Sequence, residues 1–468
     1  MYIFFAFLPP HGVHMRQPFS LICSFILSIT IVMPTVASGQ PSPIDKSALA
    51  AEVKTEFLHA WNSYKTYAWG HDGLRPLTKT PYDWYSSPLY MTPLDAMDTM
   101  ILMGLQSEAD STREFIIRNL SFDKDMYVKV FEINIRMLGG LLSNYQLTGD
   151  KRLLTLARDL ADRLIPAFLS PTGYPYVEVN LKTKAVRGTK TNPGEIGTLL
   201  VEFGTLSMLT ADAKYYNYAK HAFLSIFEAR SNLNLVGEQI DCESGAWLKT
   251  DSHLSACIDS YYEYMVKCAL LFGDEDCKIM WHDSYVAINT YLIDTTKSGI
   301  WYGHADMNSG KRTKTWFGAL DAFFPAVLVL AGDTRRAAEL QELCFHMWKR
   351  HGLEPEQFDY MKNEAASPRF FLNPEIMESA YYLYRKTNDP HYLEMGKVFL
   401  DSLKAYCRVE GGYAEIKNVI TKEKSDRMES YFLAETLKYL YLLFAPPETL
   451  DFDKVIFNTE AHPIRRTW

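Results

Sequence analysis

The chain has 468 residues, 47% hydrophobic and 22% charged, a balance that excludes a disordered, collagenous or coiled-coil protein. The formal charge at pH 7 is −8 with no basic footprint, so no nucleic-acid partner is expected. Aromatic residues make up 14%, which suits a large helical core.

The first segment reads as a targeting sequence. Residues 1–39 hold one basic residue, Arg16, and no acid. An apolar run from Phe19 to Met33 is followed by Pro34 and the small residues Ala37-Ser38-Gly39. This is the pattern of a secretory signal, with Met15 as an alternative start. The run is shorter than the roughly 20 residues that a bilayer span needs. Cleavage near Gly39, export to a periplasmic or secreted location and no stable membrane insertion are therefore expected. Residues 45–468 show no linker or compositional break, so residues 40–468 read as one domain, and a monomer is expected. Cys242, Cys257, Cys268, Cys277, Cys344 and Cys407 remain after cleavage. Cys268 and Cys277 are the best local pair for a disulfide, with free buried thiols as the alternative.

A short turn then recurs between helical stretches. It appears at Leu147-Thr148-Gly149-Asp150, Leu209-Thr210-Ala211-Asp212, Phe272-Gly273-Asp274, Ala331-Gly332-Asp333 and Thr387-Asn388-Asp389, with Ala109-Asp110 as a weaker first member. Gly or Asn suits the left-handed residue that ends a helix, and Asp suits the cap of the next. The spacing is roughly sixty residues, which is an array of helical hairpins. Flanking segments carry helical apolar periodicity, as in Leu153, Leu156, Leu160 and Leu164. Met428 to Phe444 is apolar nearly all round and should be a buried helix. Tyr174 to Arg187 and Gly412 to Val419 alternate in character and read as short β-hairpins. The expectation is an all-α fold, a closed (α/α)7 barrel with short β-hairpins at one end, with an open solenoid as the alternative.

Carboxylates recur in phase with this repeat. Glu132, Glu195, Asp259, Asp321, Glu375 and Glu429 each fall near the start of the first helix of a pair. For any one of them, capping the helix by complementing the macrodipole is the alternative reading. Glu132, however, sits in Val130-Phe131-Glu132-Ile133, where an acid is costly unless it is paired or functional. Acids converging on one mouth of a ring suit a hard cation, and they suit acid–base work on a glycosidic bond.

Six blocks carry a resemblance. They are Leu94-Asp95-Ala96-Met97-Asp98-Thr99, Val130-Phe131-Glu132 with Arg136-Met137-Leu138-Gly139-Gly140, Asp259-Ser260-Tyr261-Tyr262-Glu263-Tyr264, Pro374-Glu375-Ile376-Met377-Glu378-Ser379, Met428 through Tyr439, and Phe457-Asn458-Thr459-Glu460-Ala461-His462-Pro463. In this order they resemble the class I α-mannosidases, glycoside hydrolase family 47.

The resemblance implies an inverting, exo-acting hydrolase for terminal α-1,2-linked mannose on an oligosaccharide or glycoprotein glycan, with a calcium ion at the barrel's base. It implies Glu132 as general acid, acting directly or through a water, and Glu375 as the base. Asp259 is a third essential carboxylate, with the acid role open between it and Glu132, and Glu356 is a further acid. Thr459 is implied as the direct calcium ligand, with water in the shell held by Glu378, Glu435 and Glu460. Arg136 and Glu195 would contact sugar, and Tyr431 would lie under its ring. Two residues depart from the pattern. Cys257 stands where many members carry a residue that shapes branch choice, and Ala322 replaces a cysteine that many pair with one near Cys344. Features near Trp348 and Asp426 resemble the ER degradation-enhancing branch. A low-turnover mannose-glycan-binding protein of that type, or an α-mannosidase of different linkage, is therefore the alternative.

Overall fold

Helices with one apolar face alternate with helices that are buried nearly all round, and this alternation builds two concentric rings. The computed structural model describes residues 44–468; the expected secretion signal at residues 1–39 lies outside the described residues. In chain order the helices are α1 (Lys46–Tyr67), α2 (Met91–Leu102), α3 (Gln106–Asn119), α4 (Gly139–Thr148), α5 (Lys151–Leu164), α6 (Leu200–Thr210) and α7 (Ala213–Glu228). The series continues with α8 (Asp259–Phe272), α9 (Glu275–Ala287), α10 (Phe324–Ala331), α11 (Thr334–His351), α12 (Glu375–Thr387), α13 (His391–Ser402) and α14 (Leu437–Phe444). Even-numbered helices form the inner ring and odd-numbered ones the outer. The last inner helix, α14, packs on α12 and on α1, and the helical turn before it packs on α2. The ring therefore closes as an (α/α)7 barrel rather than an open solenoid.

The recurrent turns explain why each pair folds back. Gly149, Gly273, Gly332 and Asn388 take left-handed φ values of 73°, 70°, 92° and 56°. Ala211 occupies the same position at φ 53°, although its Cβ disfavours it. The carboxylates of Asp150, Asp212, Asp274 and Asp333 then accept from backbone N–H groups of the next helix. Asp389 lies one residue earlier than a cap and still accepts from His391 N. The first turn differs from expectation: it falls at Gly104, φ 67°, and Ala109-Asp110 lies inside α3.

The long connectors link outer helices to the next inner helix and gather at one end. Four of them share a strand with a neighbour. Tyr127–Lys129 joins the hairpin of Glu178–Asn180 and Val186–Arg187, and Lys190–Thr191 joins that of Gln239–Asp241 and Trp247–Lys249. Asp251–Ser252 and Trp316–Phe317 repeat the arrangement. The result is a collar of antiparallel three-stranded sheets. Gly412 to Val419 contributes to two hairpins rather than one. The helix expected from Met428 begins only at Phe432, as a π-helical turn that runs into α14.

At the short-turn end, Val455–Phe457 and Pro463–Arg465 pair as a hairpin whose loop enters the barrel. Gly139 is required there, because a Cβ would stand 2.4 Å from Asn458 Nδ2. Cys268 and Cys277 form a disulfide across the α8–α9 turn, while Cys344 is free and buried, in keeping with Ala322. No helix among the described residues is long and apolar enough to cross a membrane.

Candidate active site

The inner helices begin at the collar, so residues in their first turns face one another across the barrel mouth. A cavity of about 390 Å³ opens there. Glu132, Arg136, Glu195, Asp259, Glu356, Glu375, Tyr431, Glu435, Thr459 and Glu460 all line it. Glu378 lines a deeper extension of about 40 Å³, together with Glu263 and Thr459. Asp321 and Glu429, which share the sequence phase, line neither. Asp321 is buried at the turn before α10 and accepts from Gly318 N at 2.9 Å, and Glu429 accepts from Tyr82 Oη at 2.7 Å.

Local backbone features aim the side chains. Glu132 leads into a π-helical turn, Ile133–Leu138, that carries Arg136, and Glu435 sits in the π-helical turn Phe432–Thr436. Such turns recur at functional sites because the extra residue redirects side chains. Cys257 and Leu372, at φ 79° and 64°, are non-glycine residues in the left-handed region just before Asp259 and Glu375. Strain of this kind persists where surrounding structure holds it, and Thr436 Oγ1 donates to Leu372 O at 2.6 Å.

Arg136 is the central cation. Its Nε donates to Glu132 Oε2 at 3.1 Å, and its Nη1 donates to Glu460 and lies 3.8 Å from Asp95. Its guanidinium lies 5.0 Å from the Trp84 ring centroid and 5.6 Å from that of Tyr431. Tyr431 Oη donates to Phe371 O at 2.7 Å, which fixes the ring at the wall. Ser367 Oγ donates to Glu356 Oε2 at 2.6 Å. Thr191 Oγ1 donates to Glu195 Oε2 at 3.2 Å, and burial pushes Glu195 above the usual carboxylate range.

Burial dominates the electrostatics of the floor. It raises Asp259 to about 7, against the Ser260 N–H that favours its charge and with the negative Glu263 nearby. Burial, with Glu378 and Asp259 close by, pushes Glu375 well up, and its Oε2 is buried without a hydrogen-bond partner. Glu378 rises to about 7 by burial, although Lys267 opposes the shift. Glu460 rises to about 8 by burial, opposed by Arg136. Glu435 rises well up through burial and the charges of Glu460 and Glu375. This many carboxylates facing one another disfavour their own ionisation, and a cation among them would reverse that.

The donors at the floor are all oxygens, from Thr459 and the surrounding acids, which fits a hard cation such as calcium. Among the described residues, the groups of His, Cys, Asp and Glu whose ligand atoms approach within 4.8 Å lie elsewhere. The floor acids therefore stand too far apart to form a closed cage of direct ligands.

Sequence reasoning missed the support beneath the floor. Lys438 Nζ and Asp98 Oδ1 are 2.7 Å apart, and His462 Nδ1 lies 2.7 Å from Asp98 Oδ2. All three are fully buried. Burial works against their charges, yet Lys438 and His462 hold Asp98 down at about 2. Burial likewise opposes the His462 charge, but Asp98 and Asp95 raise it to about 9. Asn458 fixes the entering loop: its Nδ2 donates to Ile135 O and Glu202 Oε1, and its Oδ1 accepts from Glu460 N and His462 N. Asp95, Asp98, Asn458, His462 and Lys438 stand inside the quoted sequence blocks, which was the one available signal.

Comparison with known proteins follows the same outline. The family model described as Glycosyl hydrolase family 47 matches residues 56–466. Alpha-mannosidase I MNS5 of Arabidopsis thaliana is 36% identical, covering 97% of this chain and 82% of the relative. ER degradation-enhancing alpha-mannosidase-like protein 2 of Homo sapiens is 37% identical, covering 91% and 80%. Mannosyl-oligosaccharide 1,2-alpha-mannosidase IB of Homo sapiens is 34% identical, covering 92% and 72%. Among solved structures, an alpha-1,2-mannosidase from Trichoderma reesei superposes with a TM-score of 0.82 at 27% identity, covering 91% of this chain and all of that one.

Proposed function

Because the chain belongs to glycosyl hydrolase family 47, we propose that it is a calcium-dependent, exo-acting α-1,2-mannosidase that releases terminal mannose with inversion. The observation that carries this reading is the convergence of Glu132, Asp259, Glu356 and Glu375 on one cavity whose floor is Thr459 and a basin of acids.

In this reading the terminal mannose enters the cavity with its ring against Tyr431. Arg136 and Glu195 bind its hydroxyls. Glu375, on the cavity wall, accepts a proton from the attacking water. The water oxygen bonds to the anomeric carbon as the glycosidic C–O bond breaks on the opposite face. Glu132, held by Arg136, or Asp259 supplies the proton that the leaving oxygen takes up, directly or through a water. Glu356, fixed by Ser367, borders the path of the leaving sugar. Thr459 would hold calcium through its hydroxyl and carbonyl oxygens, with Glu378, Glu435 and Glu460 holding the ion's waters. When bound, the ion supplies positive charge that orients sugar hydroxyls and favours the ionised acids.

The test is a panel of linkage-defined mannobiosides with and without a calcium chelator. Calcium-dependent cleavage confined to the α-1,2 linkage supports the reading, as does β-mannose as the first anomer by NMR. Binding without turnover points instead to a glycan-binding protein of the degradation-enhancing type, a reading that the similarity to relatives of that name favours. Export as a monomer with cleavage near Gly39 belongs to the same proposal. N-terminal sequencing and sizing of the mature protein check it.

A further inference from the structure

Beside the cleft, the collar gathers histidines and carboxylates that the reaction above does not use. Strand Asp251–Ser252 pairs with His304–Asp306, which pairs with Arg312–Lys314. His253 and His304 are buried, with ring centroids 4.3 Å apart. One ligand atom from each of Asp251, His253 and His304 lies within 4.8 Å of the other two. Glu238, from the neighbouring connector, brings Oε2 to 3.9 Å from His253 Nε2.

We propose that this cluster is a second metal site, built for zinc or a similar transition-metal ion, with the imidazoles of His253 and His304 as its nitrogen ligands, flanked by the carboxylates of Asp251 and Glu238. Asp251 is the orienting partner. Its Oδ2 accepts from His304 Nδ1 at 2.8 Å, so the proton stays on Nδ1 and the Nε2 lone pair is left for a metal. A carboxylate behind a histidine in this way is the usual support of a zinc ligand. Glu238 has one oxygen to spare, because Lys249 engages only Oε1, at 2.6 Å. Zinc bonds of about 2.0–2.2 Å bridge the gap between His253 and Glu238 with a small closure. Imidazole nitrogens select such an ion over calcium, which takes oxygen ligands.

Two groups oppose the ion. Lys314 Nζ lies 2.9 Å from Asp251 Oδ2 and brings a competing positive charge. His253 Nδ1 accepts a 3.2 Å bond from Ser255 N. Metal on Nε2 places the ring proton on Nδ1 and gives up that bond. A filled site would tie together the connector before Asp259 and the one before α10. Because Cys257 of the first connector lines the cleft, the ion would stiffen the cleft wall without entering it.

The experiment is calorimetric titration of the chelator-treated full chain with zinc chloride in saturating calcium, with cobalt absorption as a second probe of nitrogen ligation. One zinc per chain is expected. His253→Ala and His304→Ala should each weaken it by at least about tenfold, and Asp251→Asn by about 10–100-fold. Lys314→Met removes no ligand and should tighten binding. Unchanged zinc affinity in the His253→Ala/His304→Ala double variant overturns the proposal. So does the absence of zinc binding by Lys314→Met, a variant that leaves every ligand in place.

Discussion

Glu375 lines the cavity with a half-buried side chain, and desolvation together with the nearby Glu378 and Asp259 raises its affinity for a proton. A carboxylate in that state is ready to take a proton from something that enters the cavity. Glu375→Gln keeps the shape and removes the basicity. We expect kcat to fall by at least about 10²-fold with a modest change in KM, measured on an α-1,2-mannobioside. Near-normal turnover in the folded variant would sink the assignment. Thr459 is tested by Thr459→Val, which preserves volume and loses the hydroxyl. Calcium affinity and activity should fall together and recover partly in excess calcium, by titration calorimetry. If Thr459 were only a turn residue, calcium dependence would stay as it was. Glu375 and Thr459 could be picked out from sequence because each sits in a distinctive block. The ion pairs of Lys438 and His462 with Asp98 could not, since pairing across hundreds of residues leaves no mark on spacing.

At the scale of elements, the repeat was legible because each hairpin uses the same physics: a left-handed residue, then an aspartate that caps the next helix. Ala211 breaks the first half of that rule at φ 53°. A Cβ in that conformation costs about 1 kcal/mol, so Ala211→Gly should raise the denaturation midpoint by a comparable stability gain. No change, or a loss, would mean that unfolded-chain entropy cancels the relief. Asp110 misled because an aspartate within a helix looks like a cap when only neighbours in sequence are considered; Gly104 carries the conformational signal instead. The π-helical turns at Arg136 and Glu435 were not legible, because their sequences have ordinary helical composition. Nor was the sharing of strands between connectors. Residues of the Asp251, His253 and His304 cluster meet only through that sharing.

At the scale of the molecule, the barrel concentrates acids that prefer to keep their protons. Burial raises Asp259, Asp321 and Glu378 to about 7, and Glu415 and Glu460 to about 8. Each binds a proton in the folded state at a pH where the unfolded chain has released it. Stability without a cation should therefore fall as pH rises from about 4 to about 8. His462, raised to about 9, acts in the same direction: its contribution is full below about 6.5 and is lost as pH climbs through 9. Asp98, held at about 2, loses its contribution only in stronger acid. The chelated protein should melt at a lower temperature at pH 8 than at pH 5. Calcium at 100 times its Kd should add ~2.7 kcal/mol, and a fixed calcium concentration should stabilise most at the alkaline end, where the acids are ionised. A melting temperature that rises with pH in chelator contradicts this account. Every acid of the floor except Glu460 precedes Asn458 and Thr459 in the chain, and the loop that carries those two residues follows α14, the last inner helix. The helical ring is closed by α14 against α1 without that loop, so the proposed ion seat is completed by a segment that belongs to no helical pair of the repeat.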